Sequence, residues 1–177
     1  MKYNGSSWET VGAAGFSAGG VQDVSLAIDG SGTLYVAFVD WDNESKSTVM
    51  KYNGSSWEPV GVVGFSASNV YYPSLVLDRS GVPYVAYMDQ ANSYKVTVMK
   101  YNGSAWETVG AAGFSAGTAY DVSLALDESS VPYVAYRDGA NSAKATVMKY
   151  NGSTWETVGA TGFSAGSAGY TSLAING

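Results

Sequence analysis

The sequence is dominated by a repeat of 49 residues. The segment KYNGSSW at Lys2–Trp8 returns with small changes at Lys51–Trp57, Lys100–Trp106 and Lys149–Trp155, without gaps between copies. Each copy must adopt the same supersecondary unit and cover its neighbours, so the period constrains the fold more than local propensity does. An equivalent position in the copies, here called a column, can be unchanged simply because the duplication is recent. Columns that differ between copies are therefore the more informative ones.

The composition of the 177 residues excludes several classes of function. The net charge is −6, which argues against a nucleic-acid partner, because a phosphate backbone attracts a basic face. The chain has no cysteine and no histidine, which removes thiol chemistry and the commonest general base and metal ligand. We expect no cofactor and no metal. We also expect no membrane span, because no apolar run reaches about 18 residues. The compartment stays open, with an extracellular or cell-surface location favoured.

Each copy predicts four short strands, named A to D. The pattern of β-branched and aromatic residues between turn signals places them in the copy from residue 72 onwards. They are Ser74–Asp78 (A), Pro83–Met88 (B), Val96–Tyr101 (C) and Trp106–Val109 (D). Asn102-Gly103 joins C to D and is interpreted as a type I′ turn, in which both residues have positive φ.

Four antiparallel strands every 40 to 50 residues are typical of a β-propeller blade. Pro59 falls in strand D, which would be the outer edge, and Pro83 and Pro132 begin strand B; a missing N–H is tolerated at both places. Small residues such as Ser123 and Ala125 in strand A suit a crowded axis. We predict an all-β propeller of four-stranded antiparallel blades, about 3.6 per chain of 177 residues. A β-solenoid is the alternative, although its coils are shorter.

The whole chain, residues 1–177, is predicted to form one propeller arc. Strands C and D of one blade lie at 1–12, complete blades at about 22–61, 71–110 and 120–159, and strand A of a further blade at about 170–177. The end blade lacks strand B, so one chain cannot close a regular ring. We favour a homodimer closing a ring of seven or eight blades, and the alternative is a fragment of a longer propeller.

The turn at Ile28–Ala37, IDGSGTLYVA, resembles the blade turn of NHL-type propellers, in which an Asp-x-x-Gly bend precedes an aliphatic-Tyr-Val-Ala strand. It is also similar to the Asp-box of sialidase-type propellers, although the final Thr-x-Trp is absent. The bend returns at Asp78 and Asp127, with Ser130 replacing the glycine and Asn176 replacing the last aspartate. As a repeat, the resemblance covers the chain. It implies a binding or scaffolding propeller without specifying a family.

Two sets of repeated aspartates are interpreted as turn formers, because a carboxylate accepts nearby backbone N–H groups. One set follows strand A and the other follows strand B: Asp29, Asp78 and Asp127, then Asp40, Asp89 and Asp138. A metal or sugar contact is the alternative for the second set. The loop Asp40–Glu44 alternates oxygen ligands as calcium loops do, but the other copies lose these acids, so calcium is not expected.

The four repeated tryptophans are predicted to belong to the core. Trp41 differs, because its counterparts are Gln90 and Gly139. It is either a lid packed on its blade or a platform for a ligand. The Asn-Gly-Ser segments are formal glycosylation acceptors, but the hairpin turn already explains them.

The copies differ most in the D–A and B–C connections, which emerge on one face of an ABCD blade. The altered residues include Tyr, Trp, Asp and Arg, which suit sugar or protein contacts, although long loops also drift freely. Without histidine or cysteine, and with Arg79 and Arg137 on different faces, no catalytic set is marked. We predict a non-catalytic, lectin-like propeller that binds carbohydrate or protein; the alternative is a structural repeat or self-assembling scaffold. The candidate ligand residues are Tyr71, Tyr72, Tyr120, Asp121, Tyr170 and Trp41.

Overall fold

The structure, a computed structural model, describes residues 1–175. These residues form a two-stranded sheet and three four-stranded sheets, all antiparallel. The last two residues of the predicted final strand, 176 and 177, lie outside the described residues. No helix among residues 1–175 is long and apolar enough to cross a membrane.

The strands follow one another in chain order within each sheet. The N-terminal hairpin consists of β1 (Lys2–Tyr3) and β2 (Trp8–Glu9). Blade I consists of β3 (Val21–Ile28), β4 (Leu34–Asp40), β5 (Lys46–Tyr52) and β6 (Trp57–Pro59). Blade II consists of β7 (Val70–Leu77), β8 (Pro83–Asp89), β9 (Lys95–Tyr101) and β10 (Trp106–Thr108). Blade III consists of β11 (Ala119–Leu126), β12 (Pro132–Asp138), β13 (Lys144–Tyr150) and β14 (Trp155–Thr157). A 3-10 helix follows strand B of each blade, at Trp41–Asn43, Gln90–Asn92 and Gly139–Asn141.

The strand order A-B-C-D in each blade confirms the order predicted from the repeat. Pro59 lies in β6, which pairs with β5 and forms an edge of its sheet, where a missing N–H costs little. Pro83 and Pro132 are the first residues of β8 and β12, as expected. The all-β class and the four-stranded antiparallel blade are thus both correct.

Strand A begins four residues earlier than predicted. In blade II, Tyr71 pairs with Met88 and Ser74 pairs with Ala86, so two residues of β7 oppose one residue of β8. This is a β-bulge, and Tyr72 at its start has φ 53°. Residues 70–73 belong to the variable D–A connection predicted from the sequence, and the extra residue of the bulge interrupts the alternation of the strand there. The bulge absorbs this interruption and lets pairing continue on both sides.

The C–D connection is not the predicted type I′ turn. It is a four-residue loop in which the backbone N–H of Asn102 donates to the carbonyl of Ala105 at 3.0 Å. The side-chain Oδ1 of Asn102 accepts the N–H groups of Ser104 at 3.0 Å and Ala105 at 2.9 Å. Gly103 has φ 93°, whereas Asn102 is not among the residues with positive φ. The asparagine closes the loop with its side chain, so the glycine alone takes the left-handed conformation.

The inner strands of neighbouring blades are joined by serine side chains. The backbone N–H of Leu75 donates to Ser25 Oγ at 3.0 Å, and that of Leu124 donates to Ser74 Oγ at 3.0 Å. Leu173 donates to Ser123 Oγ at the same distance, which places residues 171–175 beside β11 as β11 lies beside β7. The small side chains predicted at the axis therefore allow close approach of the strands.

Residues 171–175 form no strand, contrary to the prediction of a strand A at about 170–177. The segment follows the path of an inner strand, since its contact with Ser123 repeats the contacts between the complete blades. A strand also needs a ladder of backbone hydrogen bonds to a neighbour, and the serine contact supplies only one bond.

The hydrophobic core lies between blades rather than within one. One cluster joins blades I and II and includes Ala37, Val39 and Leu75; a second joins blades II and III and includes Met88 and Val122. Both faces of blade II are covered by its neighbours, which explains the weak polar alternation along its strands.

Three of the repeated tryptophans are partly buried at the blade interfaces, where Trp106 and Trp155 pack against the core clusters, whereas Trp8 lies outside the core, contrary to the prediction. The ring of Trp106 stacks on Phe65 with centroids 4.1 Å apart, and its Nε1 donates to the carbonyl of Val60 at 2.8 Å. Val60 and Phe65 precede the blade that contains Trp106. The tryptophan is only half-buried because it lies on strand D, at the outer edge of its sheet. Trp8, with no such partner, is 66% exposed.

Candidate functional site

The D–A and B–C connections lie together at one face, here called the variable face. The backbone N–H of Trp41 donates to the carbonyl of Gly20 at 3.2 Å, and Gly139 donates to Thr118 at 2.9 Å in blade III. These bonds tie the start of each 3-10 helix to the connection that precedes strand A. The A–B and C–D turns lie at the opposite ends of the same strands, as the topology requires.

Backbone strain is concentrated on the variable face. Among residues 1–175, ten of the eleven non-glycine residues with positive φ lie there, and Ser130 in an A–B turn is the exception. Left-handed non-glycine residues cost free energy and tend to cluster at functional sites. Four of them occupy the same place in the repeat, with φ between 48° and 54°, and are called the bulge residues: Asp23, Tyr72, Asp121 and Tyr170.

Tyr72 stands between two of these carboxylates. Its backbone N–H donates to Asp23 Oδ2 at 3.2 Å, across the boundary between blades I and II. Burial raises the pKa of the Tyr72 phenol, the negative charges of Asp121 and Asp23 raise it further, and Arg137 opposes them. The phenol is therefore held in its neutral form, in which it can both donate and accept a hydrogen bond.

Blade III contributes a cation between an aromatic ring and a carboxylate. Tyr120 on β11 lies opposite Arg137 on β12. The guanidinium carbon is 4.3 Å from the centroid of the Tyr120 ring, within the range of a cation–π contact. Nε of Arg137 lies 3.6 Å from Asp121 Oδ2, which is an ion pair but is too long for a hydrogen bond. This Nε is buried and has no hydrogen-bond partner.

Blade II adds two further aromatic rings. Tyr71 lies opposite Met88 on β8, and its ring centroid is 6.2 Å from that of Tyr94, with 42° between the planes. Tyr94 follows the 3-10 helix, has φ 61° and is partly exposed. Tyr71 and Tyr94 therefore form a tilted aromatic pair on the same blade as Tyr72.

The structure brings together some of the candidates named from the sequence and leaves others outside. Tyr72, Tyr120 and Asp121 share one neighbourhood, whereas Tyr170 is 95% exposed. The ring of Trp41 packs against Gly20: a Cβ added at Gly20 would lie 2.5 Å from its Cε3. This contact fits a lid on the blade, although the Trp41 residue is still 57% exposed.

Three residues of this site were missed from the sequence. Asp23 occupies the same column of the repeat as Tyr72 and Asp121, so the 49-residue period could have identified it. Arg137 was placed in a variable column but was not named as a candidate, because strand A was started too late to put it opposite Tyr120. Tyr94 also lies in a variable B–C column, with Ser45 and Ala143 as its counterparts, but its place in the site depends on a left-handed turn after the 3-10 helix.

The repeated aspartates are turn formers, as the sequence indicates. Asp78 Oδ1 accepts the N–H groups of Ser80 at 2.8 Å and Val82 at 2.9 Å. Asp89 is buried and accepts from the backbone of Ala91 and the side chains of Asn92 and Thr97, at 2.8 to 3.0 Å. The carboxylate is therefore used internally. No group of three or more acidic side chains within residues 1–175 could hold a metal ion.

Two cavities border the N-terminal hairpin and blade I, and neither is lined by Tyr72, Tyr120, Asp121 or Arg137. A polar cavity of about 470 Å³ lies between the N-terminal hairpin and the turns of blade I, bordered by Lys2, Thr33 and Asn53. An apolar groove of about 430 Å³ borders Phe16, Leu26 and Trp57, on the side of blade I that faces the N-terminal hairpin. The candidate site on the variable face therefore rests on its side chains and backbone rather than on a deep cavity.

No family model matches this chain, and no curated protein matches it. Several solved structures are similar in fold. A fucose lectin from Kordia zhangzhouensis, solved with methyl-fucoside, has a TM-score of 0.52 and 17% identity, over 78% of this chain and 99% of the lectin. A Hadza microbial sialidase has a TM-score of 0.53 and 16% identity over 80% of this chain. An ulvan lyase, from a new family of polysaccharide lyases, has a TM-score of 0.56 and 16% identity over 81% of this chain.

These similarities show that the fold is a β-propeller. The chain spans 34% of the sialidase and 40% of the lyase, but nearly all of the lectin. The neighbours include a binding protein and enzymes, so the fold does not choose between binding and catalysis. The specific resemblance to NHL-type blades stays a prediction.

Proposed function

We propose that the variable face binds carbohydrate without catalysing its conversion. The observation that supports this most directly is the group formed by Tyr72, Tyr120, Asp121 and Arg137. It combines aromatic faces, a carboxylate acceptor and a buried guanidinium N–H that has no hydrogen-bond partner.

The chemistry of this group suits a polyhydroxylated ligand. A carboxylate such as Asp121 accepts hydrogen bonds from hydroxyl groups, and the guanidinium of Arg137, whose side chain is 32% exposed, can donate to a hydroxyl or ring oxygen. A few convergent polar groups beside aromatic rings are typical of small-molecule sites.

Tyr72 is poorly suited to act as a nucleophile. A tyrosine acting as a nucleophile must lose its phenolic proton. Burial and the two flanking carboxylates instead raise the pKa of Tyr72. The neutral phenol supports a role in hydrogen bonding, which agrees with the absence of histidine and cysteine from the sequence.

The names of the similar structures support the class of ligand. The lectin was solved with methyl-fucoside, and the sialidase and the ulvan lyase are named for carbohydrate substrates. All three resemble this chain at under 20% identity, so we transfer only the broad class of carbohydrate ligand and not a particular sugar.

The two arginines of the chain provide a matched test on a glycan array. Arg137→Ala removes the guanidinium from the variable face, whereas Arg79→Ala removes an exposed guanidinium, 2.9 Å from Glu128, on the opposite face. We expect the unmodified protein to bind a subset of glycans, Arg137→Ala to weaken this binding at least about tenfold, and Arg79→Ala to leave it unchanged.

Trp41→Ala separates the two interpretations of that residue in the same assay. Weaker glycan binding with an unchanged melting temperature would make Trp41 part of the binding surface. A lower melting temperature with unchanged binding would make it a structural lid. Glycan binding that survives Arg137→Ala, or an array with no binding at all, would overturn the proposed site; the second result would favour the scaffold.

A further inference from the structure

Each blade interface contains the same aromatic contact. The tryptophan of one blade inserts into three residues of the preceding D–A connection, called here the tryptophan pocket. In the pocket of Val60, Gly61 and Phe65, the Val60 carbonyl accepts from Trp106 Nε1 and Phe65 stacks on its ring. A Cβ at Gly61 would lie 2.7 Å from a ring carbon of Tyr101 and 3.2 Å from Trp106 Nε1.

The period of 49 residues gives four such pockets and four tryptophans. Three pockets are filled: Trp57 donates to Val11 at 3.0 Å, Trp106 to Val60 at 2.8 Å and Trp155 to Val109 at 2.8 Å. The fourth pocket consists of Val158, Gly159 and Phe163 and is open. A Cβ added at Gly159 would meet nothing within 4 Å, and Phe163 is 58% exposed.

The fourth tryptophan is free at the other end of the array. Trp8 lies on β2, and its ring contacts that of Tyr3 with centroids 5.7 Å apart, as Trp106 contacts Tyr101 at 5.6 Å. The aromatic pair is thus already arranged as it is in the filled interfaces. Both Tyr3 and Trp8 are exposed.

An inner strand is also uncovered in blade I, the blade that follows the N-terminal hairpin. Leu26 on β3 is 59% exposed, whereas its equivalents Leu75 and Leu124 are 4% and 3% exposed, because a preceding blade covers each of them. Val24 and Ile28 on the same side of β3 are exposed as well. These three side chains form an unpartnered apolar stripe along the inner edge of blade I.

We propose that the open tryptophan pocket of one chain binds Trp8 of a second copy of the same chain. The two surfaces match because they are the two halves of an interface that the chain already forms three times. By the same repeat, residues 171–175 of the first copy lie along β3 of the second. Ser172 then accepts the backbone N–H of Leu26, as Ser25 accepts that of Leu75.

The contact is head to tail, so each chain offers one pocket and one tryptophan. Such a heterologous contact closes into a ring or continues as a filament, depending on the rotation between copies. Closure by two chains would give eight blades, three complete blades from each chain and two junction blades. Each junction blade then combines residues 171–175 of one copy with β1 and β2 of the other and lacks strand B, so it is weaker than an internal interface. This inference does not depend on sugar binding.

Light scattering coupled to size exclusion tests the contact at micromolar concentration. We expect a mass of twice 18.4 kDa for the unmodified chain. Trp8→Ala should weaken association by roughly 30-fold, as expected for a buried aromatic anchor. Trp8 is exposed in the single chain, so its removal should not disturb the fold. The monomeric variant should therefore show the far-ultraviolet circular dichroism spectrum of the unmodified protein and a cooperative thermal transition.

Two glycine variants give a matched pair. Gly159 and Gly152 both have positive φ, 73° and 96°, and neither has an atom within 4 Å of an added Cβ. Alanine at Gly152, whose φ lies further from the left-handed region, carries at least as much backbone strain as alanine at Gly159. Gly159→Ala should also dissociate the assembly, because a Cβ in a filled pocket collides with the incoming tyrosine ring, whereas Gly152→Ala should not.

The mass measured by light scattering decides whether the proposed contact forms. A monomer of 18.4 kDa for the unmodified chain overturns the proposal. An assembly that survives both Trp8→Ala and Gly159→Ala overturns it as well. A larger assembly that Trp8→Ala dissociates keeps the head-to-tail contact and rejects the two-chain ring.

Discussion

The backbone N–H of Tyr72 donates a hydrogen bond to Oδ2 of Asp23 at 3.2 Å, so the bulge of one blade is tied to the bulge of the blade before it. The two residues are 49 positions apart and occupy the same place in the repeat. A column that differs between copies, Asp in one and Tyr in the next, therefore has a structural consequence as well as a chemical one.

Asp23→Ala should lower the free energy of unfolding by about 1–2 kcal/mol, because the half-buried N–H of Tyr72 loses its acceptor and alanine tolerates the left-handed conformation poorly. Urea unfolding followed by tryptophan fluorescence measures this change. Asp23→Asn is the control, since asparagine keeps an acceptor oxygen and accepts positive φ. If Asp23→Ala is as stable as Asp23→Asn, the contact between bulges contributes nothing.

Gly103→Val should cost roughly 1–3 kcal/mol, because its φ of 93° is unfavourable for a β-branched residue although no atom lies within 4 Å of an added Cβ. The loss arises from the backbone and not from a clash, so Gly103→Asn should cost less. Thermal melts of the two variants measure the difference. Glycan binding should not change in the folded fraction, because this loop lies opposite the variable face.

Asp89→Ala should destabilise the protein by about 2–4 kcal/mol, since it leaves the buried Thr97 hydroxyl and the N–H of Ala91 without their acceptor. Asp40→Ala should cost less. Its carboxylate accepts from Asn43 and Thr48 but makes no bond to the backbone of the 3-10 helix. Denaturant titrations of the two variants test the order, and equal losses would contradict the role of the backbone bond.

Stability should fall as the pH rises above about 10. Burial raises the pKa of the Tyr87 and Tyr136 phenols, and the charges of Asp89 and Asp138 raise it further. An unfolded tyrosine ionises near pH 10, so above this pH the native state binds more protons than the unfolded state, and unfolding is favoured. Below pH 10 the stabilisation is complete.

Tyr87→Phe with Tyr136→Phe should flatten this alkaline decline, as measured by urea unfolding between pH 8 and pH 11. Tyr3→Phe is the control, because Tyr3 is exposed. A decline as steep as in the unmodified protein would show that other groups cause the alkaline loss.

The sequence predicted the blade but not its fine geometry. The period, the prolines and the Asn-Gly pairs determine four strands in the correct order, because each is a local constraint on pairing or on φ. The bulge at Tyr72 could not be predicted, since a Tyr-Pro step in a strand looks like a break until its partner strand is in place. The start of strand A depends on the equivalent bulge in each blade, and in blade III the bulge at Asp121 follows the pairing of Tyr120 with Arg137.

For the candidate site too, part of the arrangement could be predicted from the sequence and part could not. The variable columns identified the side of the blade on which Tyr72 and Asp121 lie, because topology alone decides where the connections emerge. Which side chains meet depends on the register and on left-handed residues such as Tyr94, and no periodicity encodes these. Trp8 is exposed because no D–A connection within the described residues packs on its ring. The sequence does not show this difference, because the segment that ends at Trp8 is nearly identical to the one that ends at Trp106.

The glycine of the tryptophan pocket affects how the copies can diverge by mutation. At Gly61 and Gly110 even one added methyl group would press on the rings of the following blade, whereas at Gly54 and Gly103 it would meet open space. A substitution at Gly61 or Gly110 is therefore opposed by a steric clash as well as by the positive φ. A substitution at Gly54 or Gly103 is opposed only by the positive φ. As the copies accumulate substitutions, the pocket glycines should be among the last residues of the repeat to change.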